Sequence, residues 1–134
     1  TDMLFYGCAI DASGFLWLVP RNAEALVRVD TRPGPTLGNM TQFAGFPGPV
    51  TAGGDLKFIG GATDAGGFLW MVPSNAPAVV RVDTRPGATL GDMTHFSGFP
   101  SSVGGSAKFA GAAIDSAGFM WLVPLGAPAV VRVD

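Results

Sequence analysis

Residues 14–30 read GFLWLVPRNAEALVRVD, residues 67–83 read GFLWMVPSNAPAVVRVD, and residues 118–134 read GFMWLVPLGAPAVVRVD. One unit written three times in 134 residues decides the architecture before any single residue is interpreted. Asp11, Asp64 and Asp115 are equivalent, as are Trp17, Trp70 and Trp121, and the period is 53 residues and then 51. Between 14–47 and 67–100, 26 of 34 positions are identical. The length difference falls between the linkers GPVTAGGDL and SSVGGSA, where a surface loop tolerates it.

Working outward from this stretch, each unit reads as four short strands. The first is LFYGCAI, KFIGGAT or KFAGAAI. The turns DASG, DAGG and DSAG follow. Glycine there takes positive φ freely, and the aspartate bonds to nearby backbone. The second strand is apolar on both faces, with Phe15, Trp17 and Val19 on one and Leu16 and Leu18 on the other, so it is expected to be buried on both. Pro20 ends it because proline donates nothing to the ladder. In the third strand Val27 and Val29 share one face and Arg28 and Asp30 the other. RPGPT makes a turn, and NMTQF, the most polar strand, closes the unit at a rim. Helix is excluded in NAEALVRV, because the later copies place a proline inside that window.

Burial is thus expected to fall from the first two strands toward the fourth, with the Gly- and Ala-rich first strand at a crowded centre. This pattern predicts an all-β fold of β-propeller-type, four-stranded antiparallel blades, about two and a half repeats of 51–53 residues. Residues 1–134 form a single repeat array: 4–56 is the first blade, 57–107 the second and 108–134 a partial third. Closed rings need about 4–8 blades, so this array is expected to be an incomplete ring on its own.

The layout resembles blades of the NHL, YVTN and virginiamycin-lyase-like propellers, which carry D-G-N-L-W followed by a V-x-R-I-D-type strand. The matching residues are Asp64, Gly67, Leu69, Trp70, Arg81 and Asp83, with counterparts in the other copies. The repeat is longer than the roughly 40 residues usual for such blades, by an added P-x-N-A-x-A segment. The resemblance implies the propeller fold. It also implies histidines for the lyase activity of one member group, and this sequence has His95 alone.

Composition narrows the function further. Only 13% of residues are charged, against about 25% in an ordinary domain, so part of the surface is expected to be covered by a partner. A net charge of -2 and scattered Lys57, Lys108 and arginines exclude a nucleic-acid stripe. No apolar run has the roughly 18 residues of a membrane span. The sequence opens at Thr1, and with few charges this favours a processed, surface or secreted protein, although the compartment itself is not readable. Cys8, aligned with Gly61 and Ala112, is expected to be a small buried residue.

Candidate chemical groups are few. The three tryptophans suit core packing better than sugar stacking. Asp11, Asp64 and Asp115 suit turns better than a metal or acid catalysis, and Arg28 with Asp30 suits a structural ladder better than an anion site. Arg32 and Arg85 are expected to be solvated. One histidine, one cysteine and Glu24 leave no triad or zinc set, so no catalytic residue, metal or cofactor is expected. The varied loop after the second strand reads RNAEA, SNAPA and LGAPA, which makes Arg21, Asn22, Glu24, Ser74 and Asn75 the binding candidates.

The expectation is therefore a non-enzymatic structural or protein-interaction module acting in a larger or homo-oligomeric assembly. Its partners are other copies of itself or the remaining blades of a longer protein. The alternatives are a lectin-like propeller binding a glycan once per blade, and a fragment of a propeller enzyme whose catalytic residues lie outside this chain.

Overall fold

The computed structural model describes residues 3–51 and 53–134; Thr1 at the opening and Ala52 of the TAGGD linker lie outside them. The described residues form strands and no helix. The first sheet holds β1 (Phe5–Ile10), β2 (Phe15–Pro20), β3 (Leu26–Asp30) and β4 (Met40–Phe43). The second holds β5 (Phe58–Thr63), β6 (Phe68–Pro73), β7 (Val79–Asp83) and β8 (Met93–Phe96), and the third β9 (Phe109–Ile114), β10 (Met120–Pro124) and β11 (Val131–Val133). Every pairing is antiparallel between sequence neighbours, so each sheet is a simple meander. The fold is all-β and propeller-like, an arc of blades that does not close into a ring.

The innermost strands β1, β5 and β9 stand side by side. Their approach is set by glycine. Gly7 and Gly60 adopt φ of 82° and 91° at a register shift in β1 and β5, which re-aims the strand. A Cβ on Gly7 would lie 2.6 Å from the Cα of Gly60, closer than any side chain allows.

The core lies between sheets. Trp17, Val19 and Leu26 of the first sheet meet Phe58, Leu69, Met71, Val80 and Val82 of the second. On the other side of the second sheet, Val72 and Val79 meet Phe109, Met120, Leu122 and Val131 of the third. One face of β6 therefore looks to the third sheet and the other to the first. That is why the sequence is apolar on both faces. Each fully buried aliphatic or aromatic side chain here contributes about 1.5–3 kcal/mol. The middle sheet, covered on both sides, holds the largest share, and Leu69→Ala would cost roughly 2–5 kcal/mol.

Two expectations of burial are corrected. β1 is largely exposed, and in the first two sheets the second and third strands are the buried ones instead. Cys8 is exposed rather than buried. Its equivalent Gly61 faces Val19 of the preceding sheet, whereas no described sheet precedes Cys8. The outer strands β4 and β8 are the exposed rim that their polarity predicts.

Candidate functional site

The turn aspartates are engaged on both oxygens. Oδ1 of Asp11 accepts from the backbone N–H of Ser13 at 2.8 Å and of Phe15 at 3.1 Å, and Oδ2 accepts from Trp17 Nε1 at 2.7 Å. Asp64 and Asp115 repeat the arrangement with Trp70 and Trp121. The backbone bonds follow from the turn chemistry, but the bond to the indole six residues on was not legible. Trp17 is wholly buried and offers no face to a sugar. The indole bond, followed by backbone N–H bonds, holds the Asp115 carboxyl below its ordinary value.

The ladder across strands or blades expected of Arg28 and Asp30 is not formed among the described residues. Arg28 lies over the rings of Phe15, Trp17 and Phe43, closing the outward side of the tryptophan. Asp30 pairs instead with Arg32, at 2.9 Å from Nε and 2.8 Å from Nη2, and also accepts from Thr36 Oγ1 at 2.6 Å. Asp83, Arg85 and Thr89 form the same cluster. Arg32 and Arg85 are therefore bidentate partners of buried carboxylates, with only their outer surfaces solvated. The arginine bond, with help from the threonine, holds Asp30 and Asp83 well below the usual carboxylate range. In the third copy the equivalents of Arg28 and Asp30 do pair with each other, Arg132 Nε lying 2.8 Å from Asp134 Oδ1.

The five loop candidates fall into two junctions between adjacent sheets. At the first, the Asn22 side chain accepts from Leu56 N–H at 2.7 Å, and the Arg21 carbonyl accepts from Lys57 N–H at 2.8 Å. The Arg21 guanidinium lies 5.2 Å from the Tyr6 ring, and Glu24 is exposed. At the second, Asn75 accepts from Ala107 N–H at 2.8 Å and the Ser74 carbonyl from Lys108 N–H at 3.1 Å. Leu56 and Ala107 have φ of 53° and 50°, a left-handed backbone that these asparagines help to hold. Backbone bonds continue the path, from Asn22 N–H to the Leu4 carbonyl, Asn75 N–H to Leu56 and Gly126 N–H to Ala107. One hydrogen-bonded seam thus runs from sheet to sheet along this face. In the third copy Gly126 stands where the asparagine would be.

Two lysines at these junctions escaped the sequence reading. Lys57 and Lys108 immediately precede β5 and β9 and are 2% and 3% exposed. Lys57 Nζ donates to the Gly54 carbonyl at 2.8 Å and Lys108 Nζ to the Gly105 carbonyl at 3.0 Å. Burial pushes both amines below their ordinary value. For Lys57 the carboxylates of Asp55 and Glu24 work in the opposite direction, and for Lys108 burial acts alone. The signal was present as a lysine at the same place in two repeats, following a glycine three residues before it. A cleft of about 300 Å³ opens at the second junction, lined by Asn75, Pro77, Ser97, Phe99, Ser101 and Lys108 among others. His95 is elsewhere, packed over Gly48 of the linker that follows the first sheet.

No protein-family model and no curated protein matches the sequence. Solved structures do share the fold. A streptogramin B lyase superposes with a TM-score of 0.69 at 16% identity over 98% of this chain. Selenomethionine-substituted virginiamycin B lyase from Staphylococcus aureus gives 0.70 at 18% identity over 100%. A catalytically inactive form of the Staphylococcus aureus enzyme with quinupristin gives 0.70 at 16% identity over 99%. The chain spans 37% of the first of these and 39% of the other two. The propeller resemblance read from Asp64, Gly67, Leu69, Trp70, Arg81 and Asp83 is thus a resemblance of fold.

The same finding corrects the expectation that enzymes could be set aside. The three structures named above, which this chain matches over 98%, 100% and 99% of its length, are lyases. On a propeller the reacting groups come from loops carried by a rigid scaffold, so a stretch of blades without a catalytic cluster can still be part of an enzyme fold.

Proposed function

We propose that this chain supplies blades to a closed propeller, and that its two flanking faces are covered by further blades of the same kind. One observation carries this reading. Trp17, Val19 and Leu26 are fully buried against the following sheet. Their equivalents in the third copy, Trp121, Val123 and Val130, are 42%, 50% and 58% exposed. At the opposite flank Leu4, Tyr6 and Ile10 are exposed as well. Apolar flanks of this extent associate in water. The covering blades belong to further copies of this chain or to the rest of a longer protein, and either source presents the same kind of face. The asparagine and serine candidates Asn22, Ser74 and Asn75 hold sheet to sheet in this reading, and Arg21 and Glu24 are the side chains turned to a partner. Substituting Val123→Lys and Val130→Lys tests it. Loss of self-association and of hydrophobic-dye binding supports the reading; unchanged behaviour overturns it.

A second reading is favoured by the lyase likeness: the completed ring is an enzyme scaffold whose reacting groups lie on blades other than these. Incubation of the completed ring with quinupristin, followed by chromatography, tests it. Conversion supports a lyase of that class, and unchanged substrate removes it.

A further inference from the structure

The two sheet-to-sheet junctions are near copies with one systematic difference. At the first, the Lys57 ammonium stands in the field of Asp55 and Glu24. At the second, these positions hold Ser106 and Pro77. Both acidic groups are gone, yet the lysine is kept and is as deeply buried. An ammonium carries three donors, and the Gly105 carbonyl takes one from Lys108. No carboxylate among the described residues pairs with it. A buried charge without a counter-ion is costly unless something neutralises it. The cleft of about 300 Å³ that Lys108 lines is of the size that admits a small ligand. Its other walls suit an amphiphilic one. Phe99 and Pro77 offer apolar surface, and Ser97 and Ser101 offer hydroxyls. Asn75, whose Oδ1 is taken by Ala107 N–H, keeps its amide donors for the cleft.

We propose that the cleft between the second and third sheets binds a small organic carboxylate, whose charge sits by Lys108 in place of the missing acidic side chains and whose apolar body lies against Phe99. One junction carries acidic residues near its lysine, and its copy carries a cleft there instead. This goes beyond the assembly role, because it concerns a junction already complete within the chain.

The test uses the 134-residue chain and benzoate as probe, followed by the amide resonances of Ala107, Lys108 and Phe109. Benzoate is expected to shift them saturably, and benzamide, its neutral isostere, to bind about tenfold more weakly or not at all. Lys108→Met should abolish the response. Because that variant risks losing the fold, Pro77→Glu at an exposed position is the companion. It restores the acidic residue of the first junction and should abolish benzoate binding while the remaining resonances stay in place. Equal binding of benzamide, no shift at these amides in the parent chain, or full benzoate binding by the folded Pro77→Glu variant would each overturn the proposal.

Discussion

The indole Nε1 of Trp17 donates a 2.7 Å hydrogen bond to Oδ2 of Asp11, tying the turn that opens β2 to the residue at its middle. The bond recurs at 2.7 Å between Trp70 and Asp64 and at 2.8 Å between Trp121 and Asp115. Its surroundings change along the arc, because Trp17 is wholly buried and Trp121 is 42% exposed. Asp11→Ala would leave a buried indole donor and two turn amides without their acceptor, at a cost of about 1–3 kcal/mol. Asp115→Ala leaves groups that water can reach and should destabilise clearly less. Urea unfolding midpoints of the two variants check this order.

Closeness of the innermost strands gives a second expectation. Gly7→Ala would place a Cβ 2.6 Å from the Gly60 backbone at a φ of 82°. Neither a rotamer change nor solvent relieves a clash with backbone, so a loss of roughly 1–3 kcal/mol is expected in thermal or urea unfolding. A variant as stable as the parent would mean that the first two sheets are not in contact there.

The asparagine seam predicts a local effect. Asn75→Ala removes the acceptor of the Ala107 N–H, which then loses a bond worth about 1 kcal/mol. Hydrogen exchange at Ala107 should accelerate, while exchange at Leu56, held by Asn22, should not change.

Acid should loosen the Asp30 and Asp83 clusters. Each carboxyl is held well below its ordinary range, chiefly by its arginine. A depressed folded-state value means that the stabilisation is fully present above the unfolded value near pH 4, and is lost as pH falls below it toward the folded value. Melting temperature should therefore drop below about pH 4, and the drop should be shallower in Asp83→Asn, which has no charge to protonate.

These relationships divide by how far the sequence could announce them. The repeat, the strands, the Asp–Gly turns and the two-faced second strand follow from local patterns, since period-two alternation and turn chemistry act over a few residues. What lies across a sheet face is not local. Cys8 and Gly61 occupy one place in the repeat, but only Gly61 has Val19 of a preceding sheet against it. Arg28 and Asp30 share a strand face, which suggested a ladder across strands or blades, yet the turn after β3 brings Arg32 back onto Asp30 in a bidentate grip. Lys57 and Lys108 read as scattered charges that make no basic stripe, and their burial depends on a glycine carbonyl and a neighbouring sheet, which composition does not display. Among the binding candidates, Asn22 and Asn75 could be picked out as loop polar residues, but their bonds to Leu56 and Ala107 span 34 and 32 residues. Setting enzymes aside rested on the scarcity of reactive residues here, and a fold shared with lyases removes that ground.

The central claim is that the flanks of the arc are interfaces for further blades, and sedimentation velocity of the 134-residue chain tests it most directly. The account predicts species heavier than 13.7 kDa that revert to that mass when Val123 and Val130 become lysine. A single, stable 13.7 kDa species at all concentrations, unaltered by those substitutions, would contradict it.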